Sequence, residues 1–401
     1  MTTPAKANPK LLYLITWLTD FSAMLLIFTV SRYLAETQAS LLKMGVAGAG
    51  ISLTQCVSSV VFGRLSDRFG RRRLIFTGAL VVLLSTVGCL TLSGHEWLYF
   101  LSYWSFGLGT GMIYPALIAW LTQGEEAIQG RRSIGGALIR FCLAWNVGLI
   151  FGQVSGGWLF EMGRDWPLVL AILLTAVNLV VVLMTGRRSS KPAASAVPTE
   201  VQELRQLAIS AGFARMNWIA NLGGAFAMSM IFHLFPKLVV SLGVPPDQQG
   251  TILAIMRVTV IGTYLLMHHT RFWHYRFAVV LSAQASAVAG LAVLAWARTG
   301  VELTAGLAGL ALLLGYNYFA GLYYSNTSRG DEQRGFASGM HEATLGLGFA
   351  AGALGGGIIG DLAGERAPYL LAIAVIVALV AVQIVVYLRQ VRPLARSLDG
   401  S

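Results

Sequence analysis

The stretch Gly63-Arg64-Leu65-Ser66-Asp67-Arg68-Phe69-Gly70-Arg71-Arg72-Arg73-Leu74 is a cationic turn wedged between two long apolar runs. The runs on either side, roughly 45–63 and 74–93, are each long enough to cross a hydrocarbon core of about 30 Å as a helix. The turn between them must therefore meet water. Working outward from it, 56% of the 401 residues are hydrophobic and 12% are charged, with a mean hydropathy of +0.67. A soluble globule with a polar surface cannot have that composition, and a polytopic membrane protein does.

Apolar runs recur at roughly 11–34, 45–64, 74–93, 97–121, 134–160, 166–186, 206–235, 249–267, 276–297, 303–325, 336–360 and 367–388. They predict twelve spans, all helical, because backbone in hydrocarbon must satisfy its own hydrogen bonds and the runs are too long for barrel strands. The net charge of +11 is distributed by side. With twelve spans, the loops on the side of both termini hold 20 of the 29 Lys and Arg and the opposite loops hold 6, Arg32 among them. The other 3, Arg140, Arg215 and Arg257, fall inside spans. That asymmetry makes the basic side, with both termini, cytoplasmic, in the cell (inner) membrane. It also removes nucleic acid as the reason for the basic balance. The first apolar run is long enough to span and has no convincing small-residue cleavage site, so it is expected to be a membrane helix. Cys56, Cys89 and Cys142 all lie within spans and are expected to pack rather than pair.

The polar stretch RRSSKPAASAVPTEVQELR, near the middle of the chain, divides it into two six-helix halves, 1–188 and 206–401, joined by a cytoplasmic linker at 189–205. The halves echo each other. Gly148, Gly152, Gly156 and Gly157 recur 200 positions later as Gly348, Gly352, Gly356 and Gly357. Such internal repeats accompany alternating access, in which two bundles rock about a site near the midplane.

With these elements in place the chain resembles the major facilitator superfamily. The turn matches that family's signature between spans two and three at Gly63, Asp67, Arg68, Gly70, Arg71 and Arg72. The fifth span resembles a second, antiporter-associated signature at Gly148, Gly152, Gly156 and Gly157, with Gln153 where a proline is expected. Asp20 resembles the first-span acid of drug-efflux members, although Thr29 and Arg32 stand where prolines usually follow. The resemblance implies two pseudo-symmetric six-helix bundles and a cytoplasmic gate in which Asp67 and Arg68, with Arg71 nearby, dock on the eleventh helix. The alternative is that these arginines only anchor topology.

Charges inside spans carry the next expectation, since one at mid-membrane costs several kcal/mol unless paired or wet. Asp20 and Glu342, the latter beside His341, are candidates for proton coupling, because taking up a proton relieves that cost. Arg140 and Arg257 are expected as counter-charges or anion-binding groups. A static ion pair that merely orients helices is the competing reading. The family architecture implies that spans one, four, seven and ten surround the cavity. Tyr114, Asn217, Asn221, Tyr316 and Asn317 would line it, which suits a moderately polar organic molecule with a ring or apolar portion. Trp104, Tyr323 and Tyr324 serve equally well as packing or interfacial rings, and His233 reads as a packing residue.

No phosphate-cradling loop, metal spacing or nucleophile set is present in the sequence, so neither an enzyme nor a cofactor or metal is expected. The expected function is a secondary active transporter of a small organic solute, proton-coupled, with export slightly favoured. An importer or uncoupled facilitator, and from another class a membrane scaffold or sensor, remain as alternatives.

Overall fold

The structure, a computed structural model, describes residues 8–122, 131–185, 201–327 and 331–394; within these, the side chains of 63–69, 122, 131–135, 137–138, 201–206, 326–327 and 331–341 lie outside the description. The chain is all helix among the described residues. The first half holds α1 (Pro9–Glu36), α2 (Leu41–Phe69), α3 (Arg71–Thr91), α4 (Glu96–Thr122), α5 (Arg131–Met162) and α6 (Trp166–Met184). The second holds α7 (Val201–His233), the short α8 (Phe235–Ser241), α9 (Pro246–His269), α10 (Phe277–Trp296), α11 (Gly300–Thr327), α12 (Asp331–Ala363) and α13 (Ala367–Val386). Twelve of these are long. Among the described residues nine are long and apolar enough to span by themselves, and α7 with α8, bent by 44°, adds a tenth as a pair.

Helix ends follow local chemistry. Asn8 caps α1 by accepting from Lys10 N at 3.0 Å, and proline opens α1, α6, α8, α9 and α13, where its missing N–H costs nothing. Gly70 separates α2 from α3 with φ of 89° and open space where a β-carbon would stand. Its glycine is therefore required by the left-handed backbone rather than by close approach. Pro236 restarts the chain as α8, so the expected seventh span, 206–235, ends at a bend near His233 and the residues beyond it form a helix rather than a loop. The expected linker lies outside the described residues except for its last five, which open α7.

In the first half α1 packs on α5 and α6, α3 on α4 and α6, and α2 on α4; in the second α7 packs on α11, α12 and α13, and α10 on α11 and α13. Two seams join the halves, α2 with α12 and α5 with α9. The repeated glycines make close crossings within the halves and between them. Phe21 O of α1 presses on Gly152 of α5, and Phe226 O of α7 presses on Gly352 of α12. Pro246 at the start of α9 presses on Gly157, and Leu41 at the start of α2 presses on Gly357, where a β-carbon would lie 2.7 Å from Leu41 O. The partners are themselves one repeat apart, by 205 positions (226 − 21 and 246 − 41). The seams are thus pseudo-symmetric copies of one close crossing.

Both seams reach the end of the bundle where α1 turns into α2, and polar bonds join the halves there. Asp361 Oδ1 accepts from Leu41 N at 2.7 Å, and Lys237 Nζ donates to Gln38 Oε1 at 2.9 Å. Arg32, counted above as an outer-loop residue, lies instead on α1, buried. It donates to Gln249 Oε1 at 2.8 Å and Val244 O at 3.1 Å in the other half, and to Glu36 at 2.7 Å. Hydropathy ends a span at its last apolar residue, whereas α1 runs on to Glu36 and carries Arg32 inside. Replacing Arg32 with Gln is expected to loosen this end. Spin labels at Thr37 and Gln248 should then show a longer-distance population that the parent lacks, and an unchanged distribution would remove Arg32 from the closure.

Candidate functional site

Between the halves, polar side chains from α1, α4, α5, α7, α9 and α11 meet away from lipid. Asp20 of α1 is 5% exposed. Its Oδ1 accepts from the hydroxyl of Tyr114 at 2.6 Å, and its Oδ2 has no partner. Tyr114 precedes Pro115, which lies inside α4 and denies that helix a backbone donor. Neighbouring hydroxyls on α1 turn inward on their own helix, with Thr16 on Leu12 O at 3.0 Å and Thr19 on Ile15 O at 2.7 Å. Asp20 is thus the group on this face left with unused capacity.

Across the interface Arg257 of α9 is 4% exposed. Its guanidinium lies 5.1 Å from the Phe232 ring centre and 5.8 Å from that of Trp145. Nη2 stands 4.0 Å from Met228 Sδ, and Nε has no partner. No carboxylate closes an ion pair on it among the described residues. Two opposite charges held apart in a low-dielectric interior are costly unless water or a solute completes them.

The amides tell the same story. Asn217 Nδ2 folds back on Phe213 O at 3.0 Å, leaving Oδ1 without a partner. Asn221 approaches Thr344 Oγ1 at 3.4 Å. The side-chain amide of Asn317 and the hydroxyl of Tyr316 are buried and unpartnered. Native interiors pair nearly all such groups, so these unpaired ones stand out.

Other expected residues fall elsewhere. Glu342 is half-buried on α12 without an ion pair among the described residues, and the side chain of His341 lies outside the description. Arg140 is exposed, with Nε 3.3 Å from Tyr13 Oη on the outer face of α1 and α5. It does not stand beside Asp20, because a long side chain less than three turns from the basic end of α5 can carry its charge toward water. Gly63, Asp67 and Arg68 lie outside the described side chains. Arg71 donates to Ala119 O of α4 at 2.6 Å, and Arg72 to Val182 O at 3.1 Å and to Leu183 O of α6. These bonds satisfy carbonyls at helix C-termini within the first half, where cations complement the dipole. Arg72 is thus bonded within the first half in this structure.

The hydroxyl of Tyr324 accepts from Tyr275 N at 2.8 Å, and Tyr323 stacks on His274 at 4.7 Å, so both rings hold the loop between α9 and α10. His233 packs beneath Gly48, 3.5 Å from the Tyr103 hydroxyl. Sequence reasoning overlooked Trp145, whose ring faces Arg257; a tryptophan beside Asn146 in the middle of the fifth span was the available signal.

The model of the Major Facilitator Superfamily matches residues 12–329. The chain belongs to the major facilitator superfamily. Multidrug resistance protein 2 of Bacillus subtilis (strain 168) is 23% identical over 80% of this chain and 80% of its own length. The class B tetracycline resistance protein of Escherichia coli is 29% identical over 36% of this chain, and the match spans only 35% of that protein's length. Among solved structures, a point mutant of the nucleoside transporter NupG superposes with a TM-score of 0.73, covering 94% of this chain and 99% of NupG at 14% identity. Membership in the major facilitator superfamily accounts together for the twelve long helices, the signature at 63–74 and the twin seams.

Proposed function

We propose that this superfamily member is a secondary active transporter that moves a small organic solute by alternating access, coupled to protons at Asp20 and directed outward. The observation that carries the reading is Asp20 itself. It is a buried carboxylate at the meeting of the halves, held on one oxygen by Tyr114 and open on the other. Such a group can hold a proton in one state and release it when the cavity changes sides. Asn217, Asn221, Tyr316 and Asn317 line the solute space in this reading, and Glu342 is a second proton site.

The basic loops set the orientation: they are cytoplasmic, so the joined end, with Arg32 and Asp361, faces outside. The gate at Asp67 and Arg68 then lies on the cytoplasmic side. Outward direction is supported by the two resistance proteins among the relatives. The experiment is reconstitution in liposomes, with solute movement measured with and without an imposed pH gradient. Gradient-driven movement is the expected result. Movement that ignores the gradient favours the facilitator, and none with any solute favours a scaffold.

A further inference from the structure

Resting on the carrier reading, we infer that Arg257 and Trp145 form the recognition site for an anionic substrate, a small aromatic carboxylate. A guanidinium has five N–H donors in a fixed fork and accepts nothing. On Arg257 that fork meets two ring faces and a thioether sulfur, and Nε is unpartnered. Ring faces attract the cation but accept none of its in-plane hydrogen bonds in the way an oxygen does. The indole N–H of Trp145, on the ring facing the same guanidinium, is also buried, with no oxygen acceptor and only the weakly accepting Cys142 sulfur near it.

Two donors without an oxygen acceptor, one on a buried cation and one near only the Cys142 sulfur, describe a ligand rich in acceptors and negatively charged. A carboxylate satisfies the guanidinium with two parallel bonds, which is the strong form of this interaction. An amine would meet repulsion at the same place. The flat portion is read from the walls: Trp145 lies 5.3 Å from Tyr318, and Tyr318 lies 6.4 Å from Tyr264, a run of rings leading from the guanidinium. Asp20 does not occupy the site, because its bound oxygen is committed to Tyr114 and no ion pair reaches Arg257 among the described residues. The anion binds on the α5 and α9 side of the interface.

The test uses the purified full chain in detergent with benzoate, phenylacetate and 4-hydroxybenzoate, each beside its neutral amide. At least one carboxylate is expected to raise the apparent melting temperature, and its amide at equal concentration is not. Arg257→Gln should weaken that carboxylate by about tenfold or more, with Arg257→Lys intermediate. Trp145→Phe, which keeps a ring and removes the N–H, should weaken it by a smaller factor and serves as the second variant if Arg257→Gln fails to fold. Equal stabilisation by acid and amide, binding that survives Arg257→Gln, or no binding of any carboxylate overturns the inference. If a neutral or cationic solute is transported while the carboxylates neither bind nor move, this inference falls and the carrier stands. Carboxylate binding that depends on Arg257, with no transport of any solute in liposomes, upholds the site and removes the carrier reading.

Discussion

Asp20→Asn is expected to cut solute accumulation driven by a pH gradient sharply while leaving solute exchange at equal pH on both sides. Asparagine keeps the size of the side chain and can still accept from Tyr114, but it cannot take up or release a proton. A coupling free energy of about 1–3 kcal/mol corresponds to roughly 5- to 150-fold, and accumulation in liposomes should fall by a factor of that order. The unaffected exchange arm separates lost coupling from lost folding. Accumulation at the parent level in the variant would remove Asp20 from the coupling step and pass the role to Glu342, whose Gln variant is the companion measurement.

The second large effect is steric. Gly357→Leu places a β-carbon 2.7 Å from Leu41 O and 3.1 Å from the α-carbon of Gly45, at a crossing where backbone meets backbone. Overpacking a tight contact costs about 1–3 kcal/mol, and here the cost applies to the state in which the seam is joined. The equilibrium between joined and parted seams should therefore move by about 5- to 150-fold toward the parted one, and transport should drop with it. Gly157→Leu at the equivalent crossing is expected to do the same. Gly262→Leu is the control, because a β-carbon there meets nothing within 4 Å. Spin labels at Thr37 and Gln248 report the seam directly; an unshifted distribution in Gly357→Leu, with transport retained, would show that the crossing tolerates a side chain.

The fold was legible because two of its signals are one-dimensional. Hydropathy marks the spans, and the glycines of α5 and α12 repeat at a constant interval that needs no structure to see. The site was legible in part, since a carboxylate in an apolar run, such as Asp20, is conspicuous. What stayed hidden depends on contacts between distant positions. Trp145 and Arg257 are 112 residues apart (257 − 145) and belong to different halves, so nothing local announces that one faces the other. Arg32 was hidden for another reason, because a charge near the end of an apolar run looks the same whether its helix stops there or continues. Arg140 shows the reverse error: it lies inside a span by position, while its side chain leaves toward the outer face.

The joined end has a thermodynamic consequence. Its closest crossings set glycines against carbonyl oxygens, with hydrogen bonds from Arg32, Lys237 and the Leu41 amide around them. The polar bonds at this end are ones that water can replace when the halves part there. In the alternating-access reading a bound solute or proton shifts the molecule between states only by its few kcal/mol of differential affinity, so a closure held by replaceable polar bonds suits this end to opening.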